Sequence, residues 1–518
     1  MYSAHRCGIA PTTVFRAIFG AFLFLFSLAA GASHFHFSET CRQAYTAVLD
    51  LRFAEAGRLL AIERKADPAN LVPVYVENLR DFLVLAIGEE RSDYDRLKSM
   101  REKRMKILET GDPESPWYAF SLGEVSLQWA VARLKFGDYA GAALDLRRAG
   151  RYLRENRLKH PAFLPGRTGL GVVRVMAGLV PPKYRWAGQL AGLDGSVEEG
   201  ISDIRAVASY DGPDPVVRMF RTQAVFFLAF LELNVVRDRK TALALLPELR
   251  AAGDGLAGAA SPLLVYASAS ILMRNGRNDE ALQVLSGRTT LPGQYPFHYL
   301  DYLEGLARLQ SLDLSAAACF DRYIDRFRGV NYTRAARQRL AWIRLLQGDE
   351  PGYRQLMAGM DPLVSGLTDE DRQACLEARD KRAPGLVLLR ARLLFDGGYY
   401  GQALDQLLNH PVAATVGSRR DLLEYSYRLG RIYHETGLRD RAEACYLQTI
   451  ERGRNESWYF AAGAAYQLGL MRESAGDTAG AAAAYRVCLS IEPEEYKTSL
   501  HQKAKAGLSR LHEKGVKT

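Results

Sequence analysis

Few residues in this chain stand where they could make or break a bond. The glycines of Gly166-Arg167-Thr168-Gly169-Leu170-Gly171 hint at a phosphate loop, but no strand pattern precedes them, and their spacing fits neither a dinucleotide fingerprint nor a P-loop. No His-Glu-x-x-His, Gly-x-Ser-x-Gly or Cys-x-x-Cys occurs. Ser33-His34-Phe35-His36 would offer an amine and two imidazoles to copper if the chain were cut before Ser33, and is otherwise an ordinary frayed terminus. What does recur, late in the chain, is arginine and carboxylate beside aromatic rings. Arg392 accompanies Phe395; Glu424, Tyr427, Arg431 and His434 follow, then Tyr466, Leu470 and Glu473. A guanidinium pairs with a carboxylate while a ring packs on apolar side chains, so such residues on one face suit an extended peptide or an acidic tail; the bland alternative is a solvated groove. With no convergent catalytic set, the expectation is a chain that is not an enzyme and needs no cofactor or metal.

A scaffold must bring these residues to one face, and its period is visible. Gly398, Gly437 and Gly476 are 39 residues apart, as are Ala403, Ala442 and Ala481. A glycine five residues before an alanine suits a helical hairpin whose turn ends at the glycine and whose second helix carries the small residue at a close helix contact. The last copy is the fullest, with Leu468-Gly469, Gly476, Ala481, Tyr485 and then Pro493. The copy before it has Leu429-Gly430, Tyr433, Gly437, Ala442 and Tyr446, with Arg454 in place of a terminal proline. This pattern resembles the tetratricopeptide repeat (TPR). The resemblance implies an all-α, right-handed α-solenoid, a concave groove lined by first helices, and a protein or peptide partner. The family repeat is about 34 residues, so a spacing of 39 implies longer helices or wider loops. The two-carboxylate clamp of chaperone-binding repeats, with Lys and Asn at set positions, is not matched.

Earlier copies are weaker. Phe53-Ala54-Glu55-Ala56 through Asp67-Pro68 reads as a second helix with its stop, and Tyr75 to Leu108 as a long amphipathic helical stretch. Trp129, Gly137-Asp138, Ala142, Leu146 and Ala149 repeat the hairpin scheme, and so do Gly276 and Ala281. Degenerate copies fall at 226–249, 303–324 (Gly305, Ala316, Phe320) and 341–357. Strand signals are nearly absent. The expected organisation is a signal peptide at 1–32, an N-terminal helical region at 33–215, degenerate repeats at 216–382, a C-terminal array at 383–493, and a basic capping helix and tail at 494–518.

Arg6 and Arg16 with no acid, the apolar run Ala17 to Ala30, and Ala30-Gly31-Ala32 together read as a cleavable secretory signal. The run is shorter than the ~20 residues a spanning helix needs, and an uncleaved anchor is the alternative. Loss of the two arginines lowers the formal charge of +9 to +7 over the remaining 486 of 518 residues. That is mildly basic, with Lys and Arg scattered among acids, so nucleic acid is not an expected partner. The expected setting is the periplasm or the outer membrane. Of six cysteines, Cys7 falls in the signal. The other five are widely spaced and suit buried thiols, while a Cys445–Cys488 bridge stays open for geometry to decide.

Between 161 and 200 the repeat breaks into a glycine- and proline-rich apolar segment. It reads Gly169-Leu170-Gly171, Met176-Ala177-Gly178-Leu179-Val180-Pro181-Pro182-Lys183, Leu190-Ala191-Gly192-Leu193-Asp194-Gly195, then Glu199-Gly200. Its layout resembles the hallmark segment of the family that contains the tetratricopeptide-repeat-39 proteins and a fungal relative linked to inclusion-body clearance. Leu193 stands where that family has Phe, and Ser196 breaks its Asp-Arg pair, so the resemblance implies architecture only. The likeness is to a bacterial, Gram-negative exported branch. Pro181-Pro182 forces a corner between two short apolar helices, 171–180 and 184–193. These form either a buried hairpin or a surface that meets a membrane. The functional expectation is a non-catalytic scaffold of the cell envelope; the alternative is a structural envelope component in peripheral contact with lipid.

Overall fold

The computed structural model describes residues 33–179, 194–236, 238–253, 261–360, 368–410 and 417–513. The signal segment 1–32 and the Pro181-Pro182 corner with its second arm lie outside the described residues. The described chain is helical, and its one β feature is an isolated bridge between His34 and Asn70. It divides into two compact units. One gathers residues up to Ala86, Arg91–Leu228 and Pro292–Tyr295; the other gathers Ile87–Glu90, Ala229–Leu291 and the chain from Pro296 onward.

The first unit opens with α1 (Glu39–Leu49) and α2 (Phe53–Ala66). The Ser38 side chain caps α1 by accepting from the Cys41 N–H, and Leu51 takes a left-handed turn with φ 60°. The amphipathic stretch that follows is not continuous. Glu89 adopts φ 56°, so it divides into α3 (Val72–Gly88), α4 (Arg91–Leu97) and α5 (Met100–Leu108). Next come α6 (Pro116–Lys135) and α7 (Tyr139–Lys159), joined at Gly137 with φ 81°. The carboxylate of Asp138 accepts from the Gly141 N–H and starts α7.

The glycine-rich segment enters the core. α8 (Gly166–Gly178) packs on α9 (Val197–Ala208), and a Cβ on Gly171 would meet the Gly200 carbonyl oxygen at 2.5 Å. The glycines therefore let two helix backbones cross without side chains between them. Leu170, Val173 and Val175 are buried, which makes the first arm of the apolar hairpin a core helix. α10 (Pro215–Leu231) continues as a π-turn to Val236 and is, by length and composition, apolar enough to cross a membrane. Its Phe220 nevertheless packs among Phe37, Tyr45, Trp117 and Phe120, and Gln223 accepts from the Tyr45 hydroxyl at 2.6 Å, as in a core helix.

In the second unit, α11 (Arg239–Ala244), α12 (Leu246–Gly253), α13 (Pro262–Arg274) and α14 (Asn278–Ser286) precede α15 (Tyr299–Gln310) and α16 (Ala316–Arg326). Then come α17 (Thr333–Leu346), α18 (Glu350–Ala358) and α19 (Asp369–Asp380). The C-terminal array follows as α20 (Leu386–Asp396) with α21 (Tyr400–Leu408), α22 (Arg419–Glu435) with α23 (Arg439–Gly453), and α24 (Phe460–Ser474) with α25 (Thr478–Ser490). α26 (Lys497–Glu513) ends it. The three glycines of the 39-residue period sit at the hairpin turns with φ of 80–85°, a region that side chains avoid. Gly398 also abuts the backbone of Gly276, so the turns of two hairpins touch there.

The first-helix glycines have a different cause. Gly305, Gly430 and Gly469 leave room for the rings of Phe320, Tyr446 and Tyr485 from the paired second helix, and a Cβ at each would intrude on its ring. α26 closes the array. Leu500, Ala504 and Leu511 bury against Ala481, Tyr485 and Cys488, so the C-terminal amphipathic helix is a cap. Cys41, Cys319, Cys375, Cys445 and Cys488 are all free thiols, and no bridge joins Cys445 to Cys488.

Candidate partner-binding face

The face is built on α17, α20 and α22. The N-terminus of α17 is held by a carboxylate from α19: Asp371 accepts the N–H groups of Tyr332 at 2.6 Å and of Arg334 and Ala335 at 3.0 Å. This fixes the helix that carries Trp342. The indole N–H donates to Glu377 at 2.8 Å, and Glu377 also accepts from the Tyr353 hydroxyl and the Gln338 amide, so the ring is locked. The Arg392 guanidinium stacks over this indole at 4.8 Å and that of Arg339 at 4.1 Å.

One hairpin further on, Arg431 lies over the Phe395 ring at 4.7 Å and donates to the Tyr427 hydroxyl at 3.2 Å. Phe395 and Tyr427 are themselves buried and form the floor beneath the guanidinium. Glu424 accepts from the buried Arg428 at 2.7 Å. Burial would raise its carboxyl, but Arg428, Arg392 and Arg420 outweigh that and hold it below the ordinary value. His434 contacts the Tyr446 hydroxyl at 3.3 Å, and burial pushes its imidazole toward the neutral form.

The expected site residues thus separate into two groups. Arg392, Phe395, Glu424, Tyr427, Arg431 and His434 are close neighbours of α20 and α22. Tyr466 and Glu473 on α24 are engaged elsewhere. Glu473 accepts from the Tyr485 hydroxyl at 2.6 Å and from Arg510 of the cap at 2.8 Å, and Tyr466 packs on Tyr485. Spacing alone missed Arg339 and Trp342, which belong to a degenerate copy whose turn glycine, Gly348, went unread. It also missed Arg428, although a base four residues after Glu424 is the usual partner on a helix, and Tyr459, whose ring meets Tyr427 at 5.7 Å and Tyr496 at 5.1 Å. Among the described residues no cluster of metal-ligating side chains occurs, and the two terminal histidines part: His34 meets Asp67 at 2.9 Å while the His36 backbone meets Asn70.

This hairpin can be compared directly with known repeats. Residues 423–452 match the tetratricopeptide repeat model. The match covers most of α22 and α23, including Gly437 and Ala442. Two solved structures are similar to this chain over part of its length. Yeast Tom70 is 11% identical with a TM-score of 0.21, over 84% of this chain and 97% of that one. Naa15/Naa10 bound to HypK-THB is 12% identical with a TM-score of 0.23, over 92% and 77%. No curated protein matches the chain. The tetratricopeptide hairpin at 423–452 is the one that carries Glu424, Tyr427, Arg431 and His434.

Proposed function

We propose that this chain is a non-catalytic scaffold that binds a peptide or protein partner on the face shared by α17, α20 and α22, and that it acts in the cell envelope. The observation that carries the reading is the set of half-buried arginines Arg339, Arg392 and Arg431, held on first helices over buried rings, with the half-buried Tyr459 at the start of α24 packed on Tyr427. Preorganised arginine and aromatic groups are the usual centres of binding energy at interfaces. The N-terminal signal pattern supports export.

The test is capture from an envelope extract by wild type, by Arg392→Ala/Arg431→Ala and by the exposed control Arg486→Ala. A partner retained by wild type and control and lost by the double variant supports the reading. Equal recovery by all three removes the face from it. Secretion is checked by cell fractionation with and without residues 1–32.

A further inference from the structure

The three stacked guanidiniums differ from their neighbours in what they lack. Arg382, Arg420, Arg428 and Arg472 each hold a carboxylate of this chain. Arg339, Arg392 and Arg431 form no ion pair: among the described residues their close contacts are the rings of Trp342, Phe395 and Tyr427, the Gln338 amide and the Tyr427 hydroxyl, while Glu424 and Asp396 act on Arg392, and Glu435 on Arg431, from beyond ion-pair distance. Stacking uses the π face of a guanidinium and leaves its N–H donors pointing outward in the plane. The Nε of Arg431 is buried without any hydrogen-bond partner.

We propose that Arg339, Arg392 and Arg431 form a carboxylate-reading ladder that takes an extended acidic segment of a protein partner. This rests on the scaffold reading above and names the chemistry of its ligand. The dimensions agree for Arg339 and Arg392. The guanidinium carbons of Arg339 and Arg392 lie 4.1 Å and 4.8 Å from one ring centroid, so they are at most 8.9 Å apart. Acidic side chains two residues apart on an extended chain rise about 6.6 Å along it, within reach of both. Three carboxylates of this chain act on the ladder: Glu424 is already paired with Arg428 and Glu435 with Arg239, while Asp396 acts on Arg392 without an ion pair; the arginine fork is built for two-point carboxylate contact.

The probe is a fluorescein-labelled oligoglutamate, titrated into the full chain by anisotropy, with oligoglutamine and single-stranded DNA of equal length beside it. Oligoglutamate should bind, oligoglutamine should not, and raising salt from about 0.05 to 0.5 M should weaken binding at least tenfold. Arg392→Gln and Arg431→Gln should each weaken it roughly tenfold, the worth of a charged hydrogen-bonded contact. Arg392→Lys, which keeps the charge but loses the fork, should fall between. Thermal melts accompany each variant, so a folding defect is seen as such. Equal binding of oligoglutamate and oligoglutamine, indifference to both Gln variants, or tighter binding of DNA would overturn the ladder. If oligoglutamate fails while a captured envelope partner still depends on Arg392 and Arg431, the scaffold stands and the carboxylate chemistry falls. If both fail, both readings fall.

Discussion

Two buried acids in the first unit show how individual residues set its stability. Glu124 is nearly inaccessible on α6 beside Gly169, and burial pushes its carboxyl up to about 7 from 4.5, opposed only by a hydrogen bond with Gln128. A carboxyl raised on folding is neutral in both states below pH 4.5, and its destabilising effect grows as pH rises to 7 and then levels. Glu124→Gln should therefore match wild type below pH 4.5 and exceed it at pH 8 by up to about 3 kcal/mol. Urea unfolding across pH measures this, and a constant difference would refute it. Asp145 is instead held by ion pairs, since Arg101, Arg133 and Arg148 all converge on its buried carboxylate. Asp145→Ala leaves the buried Arg101 unmatched, although Arg133 keeps Asp138 and Arg148 is half exposed, and should cost about 3–5 kcal/mol by urea unfolding. Neither acid was legible in the sequence. A charged residue in a helical pattern reads as solvated, and only the fold shows that α6 is enclosed and that Asp145 faces three arginines. The ladder was half legible: Arg392 and Arg431 follow from the glycine register, whereas Arg339 does not, because its copy is degenerate.

At the scale of elements, glycine spacing was the best guide, and the structure separates its two physical causes. At Gly437 the cause is backbone conformation, since φ is 80° and nothing stands near a Cβ. At Gly469 the cause is space, since the Tyr485 ring lies against it. Gly437→Ala should thus cost about 1 kcal/mol, and no change at Tyr485 should relieve it. Gly469→Ala should cost about 1–3 kcal/mol, partly recovered by Tyr485→Leu. A double-mutant cycle by chemical denaturation distinguishes the two, and additivity at Gly469 would contradict the packing account. Turns without glycine were not legible. Leu51, Glu89, Leu312 and Tyr332 adopt left-handed backbone that their side chains do not advertise, so the break after α3 and the start of α17 could not be placed. The sequence led to the expectation of a capping helix at 494–518, and α26 buries Leu500, Ala504 and Leu511 against Ala481, Tyr485 and Cys488. Removing residues 494–518 should accelerate amide exchange in α24 and α25 while leaving the first unit unchanged.

For the whole molecule, an all-α chain of stacked hairpins was legible because the repeat enforces one local solution many times. Its division into two compact units was not, because the boundary falls inside apolar helix α10 and no composition shift marks it. The glycine-rich interruption read first as a buried hairpin, with a surface that meets a membrane or a partner as the alternative. Its first arm is buried because Gly171 and Gly200 allow two backbones to meet. The central claim is that the face of α17, α20 and α22 meets a protein partner in the cell. The most direct measurement places a photo-crosslinking phenylalanine derivative at Tyr459, a conservative aromatic exchange on that face, and at exposed Arg486 as the control. The account predicts a discrete higher-mass adduct from position 459 in living cells, diminished by Arg392→Ala/Arg431→Ala and missing from position 486. Adducts of equal yield at both positions, or none at 459, would contradict it.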